Sequence, residues 1–268
     1  MALPEPAESS TALITGASAG IGEAVARELA ERGHGVTLVA RREDRLRSLA
    51  GELSDRFGVR AEAIGVDLGS ASARAGLASR LDELGLQVEV LVNNAGFGGG
   101  KDFADTDKEL LTSMVELNCL ALLDLQGTYL PQMVDRGRGA VINIASTASF
   151  QPLPGSATYA ATKAFVLSLS EAVHEELKGT GVTLTAVCPG PVKTEFMGVA
   201  GLDAAEDQLP GVFWLSAESV AKSAVEAAED GKRAIVPGLL NRAGAITGQH
   251  TPRMLALPFA KRIWRRAV

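Results

Sequence analysis

The sequence has little cysteine, few aromatic side chains and no long apolar run. Cys119 and Cys188 are the two cysteines among 268 residues, and both lie in apolar stretches. We therefore expect two buried free thiols in a reducing compartment and no disulfide framework. The sequence has no Cys-x-x-Cys pair and no histidine-rich cluster, so we expect no metal site.

Targeting signals are also missing. No uninterrupted apolar run is long enough to span a bilayer, and residues 1–8 lack the basic flank and apolar core of a signal peptide. The expected location is the cytoplasm. Charged residues make up an ordinary 22% of the chain, and we expect no nucleic-acid partner.

Negative charge is absent from the C-terminal end. No acidic residue follows Asp230, whereas eight lysine or arginine residues do. Residues 251–268 also carry large apolar side chains, namely Leu255, Leu257, Phe259, Ile263 and Trp264. We expect residues 1–250 to form one domain and residues 251–268 a basic C-terminal extension. We expect this extension to form an additional helix that packs on the pocket or on a partner subunit. Peripheral contact with an anionic membrane surface is the less favoured alternative.

Short apolar runs alternate with amphipathic segments along the rest of the chain. The apolar runs predict strands at 11–15, 36–40, 61–66, 88–92, 140–145, 182–187 and 233–236. Helices are predicted at 20–32, 43–57, 70–84, 107–135, 157–178 and 217–229, whereas 195–213 is predicted to be irregular. This alternation predicts a single α/β domain, a doubly wound parallel sheet of the Rossmann type in three layers, α/β/α.

A glycine-rich turn follows the first predicted strand. Gly16, Gly20 and Gly22 have the spacing Gly-x-x-x-Gly-x-Gly and open the first helix. The spacing differs from Gly-x-Gly-x-x-Gly, and no Gly-Lys-Ser/Thr follows, so this is not a nucleoside-triphosphatase loop. Glycines let the backbone approach a ligand closely, and a helix N-terminus attracts a pyrophosphate. The turn predicts a dinucleotide site.

Two arginines follow the second predicted strand, where NAD-binding proteins usually carry a carboxylate. Arg41 and Arg42 stand there after Ala40 and provide guanidinium groups that suit a 2′-phosphate. This favours NADP over NAD as the cofactor. In the alternative, the arginines are a solvated helix entry beside Glu43 and Asp44.

Residues 146–163 carry the strongest chemical pattern. Tyr159 and Lys163 are four residues apart, so a helix places both on one face. We expect the lysine ammonium to lower the pKa of the phenol. Ser146 follows the strand predicted at 140–145, and its hydroxyl is positioned to meet the other two groups at one carbonyl oxygen. The set predicts acid–base chemistry without an acyl nucleophile.

Six motifs occur together along the chain: Thr15–Gly22, Asn93–Gly96, Asn118, Ser146, Tyr159-x-x-x-Lys163 and Pro189-Gly190. In this order and spacing they resemble the short-chain dehydrogenase/reductase family, in its NADP-preferring form, over residues 10–237. The resemblance implies hydride transfer between NADP(H) and a ketone or secondary alcohol. It also implies a homodimer or homotetramer, paired through the apolar helices at 107–135 and 157–178.

The resemblance assigns roles to individual positions. It implies four catalytic residues: Asn118, Ser146, Tyr159 and Lys163. It implies cofactor contacts from Thr15, Gly16, Ser18, Gly20, Ile21, Gly22, Arg41, Arg42, Asp67, Leu68, Asn93, Ala95, Gly96, Tyr159, Lys163, Pro189, Gly190, Val192 and Thr194. Taken singly, some of these residues also fit a purely structural role: Asp67 as a helix N-cap, Asn118 as the partner of a nearby carbonyl, and Thr194 as a loop hydroxyl.

Mostly apolar residues are expected around the substrate: Phe97, Gly98, Thr147, Ala148, Gln151, Leu153, Phe196, Met197, Val199, Leu202, Phe213 and Trp214. No arginine stands among them, which favours a lipophilic carbonyl such as an acyl chain, a steroid or a polyketide. The expected protein is an NADP-dependent ketoreductase. The alternative is a non-catalytic NADP(H)-binding regulatory protein of the same fold, which would have no use for all four catalytic residues.

Overall fold

A computed structural model describes residues 3–99, 101–200, 210–254, 257, 258 and 261. Several predicted features lie outside this part of the chain. They are the side chain of Val199, Leu202, and in the extension Leu255, Phe259, Arg262, Ile263, Trp264, Arg265 and Arg266.

Parallel strands form the centre of the molecule. Within the described residues they are β1 (Ser10–Thr15), β2 (Val36–Ala40), β3 (Ala61–Gly65), β4 (Gln87–Asn93), β5 (Gly139–Ile144), β6 (Val182–Val187) and β7 (Ala234–Ile235). They pair in the order β3-β2-β1-β4-β5-β6-β7, and every pair is parallel. The predicted doubly wound sheet is confirmed.

Helices connect the strands and cover both faces of the sheet. They are α1 (Gly20–Glu31), α2 (Glu43–Phe57), α3 (Ala71–Glu83), α4 (Lys108–Val115), α5 (Ala121–Arg136), α6 (Ala157–Glu176), α7 (Phe196–Ala200), α8 (Ala217–Glu229) and α9 (Leu239–His250). Short 3-10 turns lie at Phe103–Asp105, Thr147–Phe150 and Gly211–Phe213. No described helix has the length and apolar character needed to cross a membrane.

Alternate side chains of the central strands enter opposite cores. In β1, Ile14 packs against α1, α2 and α8, whereas Leu13 packs against α3 and α5. In β4, Val90 and Val92 join the first core and Leu91 joins the second. This alternation follows from the two-residue period of a strand, and it explains why these strands are apolar throughout.

Two predicted elements were wrong in part, and one helix was not predicted. The single helix predicted at 107–135 is broken by a π-helical turn at Glu116–Leu120. The segment 195–213, predicted to be irregular, begins with α7. The helix α9 was not predicted; it ends at the residue chosen as the domain boundary, and the boundary itself stays a prediction.

We predict that Leu91→Ala destabilises the protein strongly. Leu91 is fully buried in the middle of the sheet, so the change leaves a cavity between β4 and its covering helices. We expect the free energy of unfolding to fall by about 2–5 kcal/mol, measured by urea denaturation followed by circular dichroism. Leu239→Ala is the control, because Leu239 is 86% exposed. A loss at Leu91 as small as that of the control would contradict this core assignment.

Candidate active site

The carboxyl ends of the central strands open into one large cavity. Its volume is about 710 Å³, and the loops that follow β1, β2, β4, β5 and β6 contribute to its wall. In an open parallel sheet this is the edge at which ligands bind, where the strand order reverses between β1 and β4. The predicted site residues are therefore expected in the wall of this cavity.

The glycine turn between β1 and α1 has a backbone that only glycine accommodates without strain. Gly16 and Gly20 have φ values of +66° and +60°, in the left-handed region. A Cβ atom on Gly22 would lie 2.5 Å from the Gly16 carbonyl oxygen. No side chain caps the first turn of α1, and Ala19, Gly20 and Ile21 at this helix start line the cavity. This cradle fits a pyrophosphate.

The side chain of Thr15 ties the end of β1 to the end of β4. Its hydroxyl donates to the Val92 carbonyl oxygen at 3.1 Å and accepts from the N–H groups of Asn94 and Ala95 at 2.9 and 3.0 Å. The Asn94 amide donates in turn to the Thr15 carbonyl oxygen at 2.9 Å. Thr15 is 1% exposed, so it supports the glycine turn from beneath and does not line the cavity.

Asn93 ends β4 at the centre of the sheet, with its side chain turned away from the cavity. Its side chain is buried and donates to Asn143 Oδ1 of the neighbouring strand at 2.9 Å. The Asn143 Nδ2 group in turn donates to Gln126 Oε1 and to Ser170 Oγ. Asn94, Ala95 and Gly96 line the cavity in its place. Strand alternation turns the Asn93 side chain into the sheet, and the predicted contact of this residue with the cofactor stays a prediction.

Arg41 and Arg42 lie at the cavity mouth beside the glycine turn. The Arg42 guanidinium donates to Ser18 Oγ through Nε at 3.1 Å and through Nη2 at 2.9 Å. It also pairs with Glu195. Arg41 is exposed and lines the same part of the wall. The alternative of a purely solvated helix entry does not hold for Arg42, because its partner Ser18 belongs to the glycine turn.

Asp67 and Leu68 line the cavity beyond the end of β3. The Asp67 carboxylate accepts from the Gly69 N–H at 3.0 Å. The N-cap of α3 is Ser70, whose hydroxyl accepts from the Ala73 N–H at 3.4 Å. Asp67 is therefore not the cap of this helix, and its carboxylate stands at the expected adenine end of the cavity.

Ser146, Tyr159 and Lys163 meet in the cavity, as the sequence predicts. Ser146 follows β5, and its hydroxyl accepts from the Ala148 N–H at 3.1 Å to open the following turn. Tyr159 and Lys163 lie one turn apart on α6, with Lys163 Nζ 5.9 Å from the centre of the Tyr159 ring. Lys163 is 5% exposed, and its Nζ donates to the Ile144 carbonyl oxygen at 2.8 Å.

The pKa of Tyr159 does not follow the expectation from sequence. Burial raises the pKa of Tyr159 to about 12, and a hydrogen bond with Ser146 acts in the opposite direction. Burial also lowers the pKa of Lys163 to about 8. The expected lowering of the phenol pKa by the ammonium is therefore wrong for this structure. Loss of water around the phenol dominates, and the ammonium is held by the Ile144 carbonyl.

Asn118 occupies the π-helical turn and is 2% exposed. Its Oδ1 accepts from the Phe97 N–H at 3.0 Å, and its Nδ2 donates to the Phe97 carbonyl oxygen at 2.9 Å. Nδ2 also donates to Thr162 Oγ1 at 3.0 Å, one residue before Lys163. The side chain thus joins the loop after β4 to α6, and the π-helical turn is where the long helix deviates from α-helical geometry.

The loop after β6 closes one side of the cavity. Pro189, Gly190, Val192 and Thr194 line it, as expected. The Thr194 side chain lies against Gly20, where an added Cβ would come within 3.0 Å of Thr194 Cγ2. The Phe196 ring packs on Tyr159 with 5.6 Å between ring centres. The loop therefore reaches from the glycine turn to the phenol.

Apolar side chains line the far end of the cavity. Of the predicted substrate residues, Phe97, Gly98, Thr147, Ala148, Gln151, Leu153, Phe196, Met197 and Phe213 line it. Trp214 lies on the wall of a separate, smaller depression, and its predicted place in the pocket is wrong. Among the described residues of the wall, the charged ones lie elsewhere: Arg41, Arg42, Asp67 and Glu195 stand near the glycine turn and the ends of β2 and β3, and Lys163 stands beside Tyr159.

Sequence reasoning missed the wall formed by α9. Asn241 is buried there, lies against Gly190 and donates to the Phe213 carbonyl oxygen at 3.1 Å. Leu240, Ala245 and Gly248 of the same helix also line the cavity. The break at Pro237-Gly238, followed by Leu239, Leu240, Ala243 and Ile246, was a signal for a helix. Nothing in this pattern indicated the cavity.

The predicted residues thus separate into two groups. Most line the cavity: Gly16, Ser18, Gly20, Ile21, Arg41, Arg42, Asp67, Leu68, Ala95, Gly96, Ser146, Tyr159, Lys163, Pro189, Gly190, Val192 and Thr194. Thr15, Gly22, Asn93 and Asn118 lie behind its wall and hold the loops that form it.

Comparisons with known proteins agree with this arrangement. The profile of the family described as short chain dehydrogenase matches residues 10–204. Sulfoacetaldehyde reductase 2 of Chromohalobacter salexigens is 39% identical over 205 residues, which are 75% of this chain and 81% of that protein. The very-long-chain 3-oxoacyl-CoA reductase of Anas platyrhynchos is 35% identical over 205 residues, or 73% of this chain, and the match spans 64% of that relative's length.

A solved structure is similar over almost the whole chain. It is a short-chain dehydrogenase from Sphingobium yanoikuyae in complex with NADPH, with a TM-score of 0.79 and 34% sequence identity. The match covers 97% of this chain and 96% of that one. Together with the family profile, which spans more than half of the residues, these similarities show that the chain belongs to the short-chain dehydrogenase family of oxidoreductases.

Proposed function

We propose that this enzyme reduces a lipophilic ketone with NADPH, and oxidises the corresponding secondary alcohol in reverse. The observation that carries the proposal is one continuous cavity with a cationic end and an apolar end. Arg42 lies at the cationic mouth, the Ser146, Tyr159 and Lys163 side chains lie in the wall, and apolar residues line the far end. The cavity is large enough for a dinucleotide and a substrate to meet at the phenol.

The residues at the cationic end fit NADP(H). The glycine turn and the first turn of α1 would hold the pyrophosphate, and Asp67 would face the adenine. Arg42 and Arg41 would bind the 2′-phosphate, because they stand directly after β2 in the place of a carboxylate that would repel it. The related dehydrogenase from Sphingobium yanoikuyae was solved with NADPH, which supports this choice over NAD.

The protein's own part in the reaction is positioning and proton transfer. The nicotinamide of bound NADPH supplies the hydride. Ser146 would donate a hydrogen bond to the carbonyl oxygen of the substrate and hold it against Tyr159. Tyr159 would donate its phenolic proton to that oxygen as the carbon is reduced. Both groups line the cavity, and the Ser146 hydroxyl already interacts with the phenol.

Lys163 and Asn118 would support this proton transfer. Lys163 is anchored to the Ile144 carbonyl and lines the cavity one helical turn from Tyr159, where its ammonium would hold the ribose hydroxyls of the cofactor. Asn118 lies behind Lys163 and would connect the phenol to solvent through a water. Its amide is held by Phe97 and Thr162, which orients it for that role.

The raised pKa of Tyr159 favours reduction. With a pKa of about 12 the phenol keeps its proton at neutral pH, and the protonated phenol is the form that donates. Oxidation of the alcohol needs the phenolate, which burial disfavours. We therefore propose reduction as the preferred direction at neutral pH.

The far end of the cavity indicates the class of substrate. Its described wall has aromatic and aliphatic side chains, with Gln151, Ser156 and Asn241 as neutral polar groups. A substrate with a sulfonate, as the name of the Chromohalobacter relative implies, would need a cation at that end, and none stands among the described residues of its wall. A long acyl chain, as the name of the Anas relative implies, fits the apolar wall better. The proposed substrate is a neutral or acyl-type ketone.

A non-catalytic NADP(H)-binding protein of the same fold is the alternative that the sequence left open. The chain belongs to a family of oxidoreductases and retains the serine, tyrosine, lysine and asparagine together. A regulatory protein needs only the cationic end of the cavity. The alternative is therefore set aside.

We predict that Tyr159→Phe abolishes turnover and spares cofactor binding. The change removes the proton donor, so kcat for NADPH oxidation with a panel of apolar ketones should fall at least about 100-fold. The Kd for NADPH, measured by fluorescence titration, should stay within about twofold because the ring is retained.

The second tyrosine of the chain provides a matched control. Tyr129 is buried, and its hydroxyl has no partner among the described residues. Tyr129→Phe should leave kcat unchanged. Full activity in Tyr159→Phe would refute the assignment of the proton donor, and equal losses in both variants would attribute the effect to the fold.

We predict that Arg42→Ala weakens NADPH binding selectively. Losing the guanidinium removes a partner of the 2′-phosphate, which NADH lacks, so the Kd for NADPH should rise about tenfold or more while that for NADH stays nearly constant. Arg47→Ala is the control on the same helix, because Arg47 is exposed and does not line the cavity. Equal effects on both cofactors in Arg42→Ala would contradict the phosphate site.

A homo-oligomer is part of the proposal. Large apolar side chains are exposed on one side of the molecule, where α4 and the π-helical turn lie beside α6. They are between 39% and 43% exposed: Leu110, Val115, Leu120, Leu123 and Phe165. A second copy of the chain would cover this face, as the family resemblance implies.

We predict that charge on this face dissociates the oligomer. Leu123→Glu and Phe165→Glu should lower the mass measured by light scattering toward 27.8 kDa, because each places a carboxylate in the apolar contact. Leu239→Glu, on an exposed position of α9, is the control and should keep the mass of the unaltered protein. An unaltered protein that is already monomeric would refute the oligomer.

A further inference from the structure

Glu195 joins two arginines at the mouth of the cavity. Its Oε2 lies 2.6 Å from Arg42 Nη1 and its Oε1 lies 2.7 Å from Arg45 Nη1. The carboxylate thus bridges the loop after β6 and the start of α2, two elements that border the cavity from opposite sides. Glu195 itself lines the cavity.

This contact gives each nitrogen of the Arg42 guanidinium a hydrogen-bond partner within the protein. Its Nε and Nη2 groups donate to Ser18 Oγ, and its Nη1 donates to Glu195. An anion that approached Arg42 would find Ser18 on one side of the guanidinium and a carboxylate on the other. The charge of Arg42 is therefore partly compensated within the protein before any ligand binds, by a carboxylate that Arg42 shares with Arg45.

Glu195 also belongs to the segment that lies over the phenol. It follows Thr194, which packs on Gly20, and it precedes Phe196, whose ring packs on Tyr159. The arginine pair thus connects the phosphate end of the cavity to the segment at its reactive end.

We infer that Glu195 is a specificity-determining residue, whose carboxylate competes with the 2′-phosphate of NADP(H) for Arg42. The inference rests on the proposed function, in which Arg42 binds that phosphate. Binding of the phosphorylated cofactor would then exchange one anion for another on the same guanidinium. The carboxylate lowers affinity for NADP(H), and it leaves affinity for NAD(H) unchanged because NAD(H) has no 2′-phosphate.

Electrostatics supports a competition over a shared site. A carboxylate and a phosphate on one guanidinium would be a few ångströms apart, and like charges at that distance repel. The two guanidinium groups lower the pKa of Glu195 to about 2, so its negative charge is present throughout the neutral range. Protonation therefore does not remove the competitor under ordinary conditions.

The exposure of the three side chains limits the size of the effect. Arg42, Arg45 and Glu195 are 45%, 53% and 51% exposed, so water and salt screen the contact. Exposed ion pairs of this kind change affinities by about two- to fivefold. The test therefore has to detect a change in Kd of about two- to fivefold.

The test compares Glu195→Gln with the unaltered enzyme. Kd values for 2′,5′-ADP and 5′-AMP are measured by calorimetry at low salt, because these probes carry the adenosine end with and without the 2′-phosphate. We expect the Kd for 2′,5′-ADP to fall about two- to fivefold and the Kd for 5′-AMP to stay constant. The gain should shrink at high salt.

Two other outcomes overturn the inference. An unchanged ratio of the two Kd values would show that Glu195 does not compete with the phosphate. A weaker affinity for 2′,5′-ADP would show that the carboxylate orients Arg42 for the phosphate. Glu43→Gln is the matched control: it removes the same charge from the neighbouring helix start, where Glu43 pairs with Arg47. An equal gain in this variant would assign the effect to net charge and also overturn the inference.

Arg42→Ala separates this inference from the proposed function. If Arg42→Ala lowers affinity for 2′,5′-ADP alone and Glu195→Gln has no effect, the phosphate site stands and the competition fails. If Arg42→Ala affects neither probe, the phosphate site itself fails. Glu195→Gln lies at an exposed position, so the variant should fold like the unaltered chain.

Discussion

Parallel pairing of β1, β4, β5 and β6 is the constraint on which the rest of the structure depends. Because these strands run in one direction, the residues that follow each of them meet at the same edge of the sheet. Gly16, Ser146 and Pro189 are far apart in sequence and line one cavity for this reason. The Thr15 hydroxyl joins the ends of β1 and β4 through hydrogen bonds to Val92 and Asn94. The shape of the cavity therefore depends on hydrogen bonds that lie behind its wall.

Burial shifts the pKa values of two ionisable groups at this edge of the sheet. The phenol of Tyr159 and the ammonium of Lys163 both lose water, and each is shifted toward its neutral form. A neutral phenol can donate a proton, and reduction of a ketone requires a proton donor. The Ile144 carbonyl compensates the lysine, so the strand that positions Ser146 also anchors the residue beneath Tyr159.

Charge is distributed unevenly along the cavity, and this divides it into two sites. Arginine, aspartate and glutamate line the end beside β2 and β3, whereas neutral side chains line the end formed by α7 and α9. A phosphorylated dinucleotide and an apolar ketone fit these two environments. Glu195 stands where they meet, with its carboxylate on Arg42 and its neighbour Phe196 on Tyr159.

The sequence by itself determined the alternation of apolar strands and helices along the chain, the glycine turn and the Tyr159–Lys163 pair, because these depend on local periodicity and on fixed spacing. Only the tertiary structure decided which of the neighbouring asparagines faces the cavity, since Asn93 turns into the sheet toward Asn143. The same holds for the pKa of Tyr159, which burial controls, and for the wall contributed by Asn241. The pairing of Arg42 with Glu195 joins residues 153 positions apart, and no local pattern specifies such a contact.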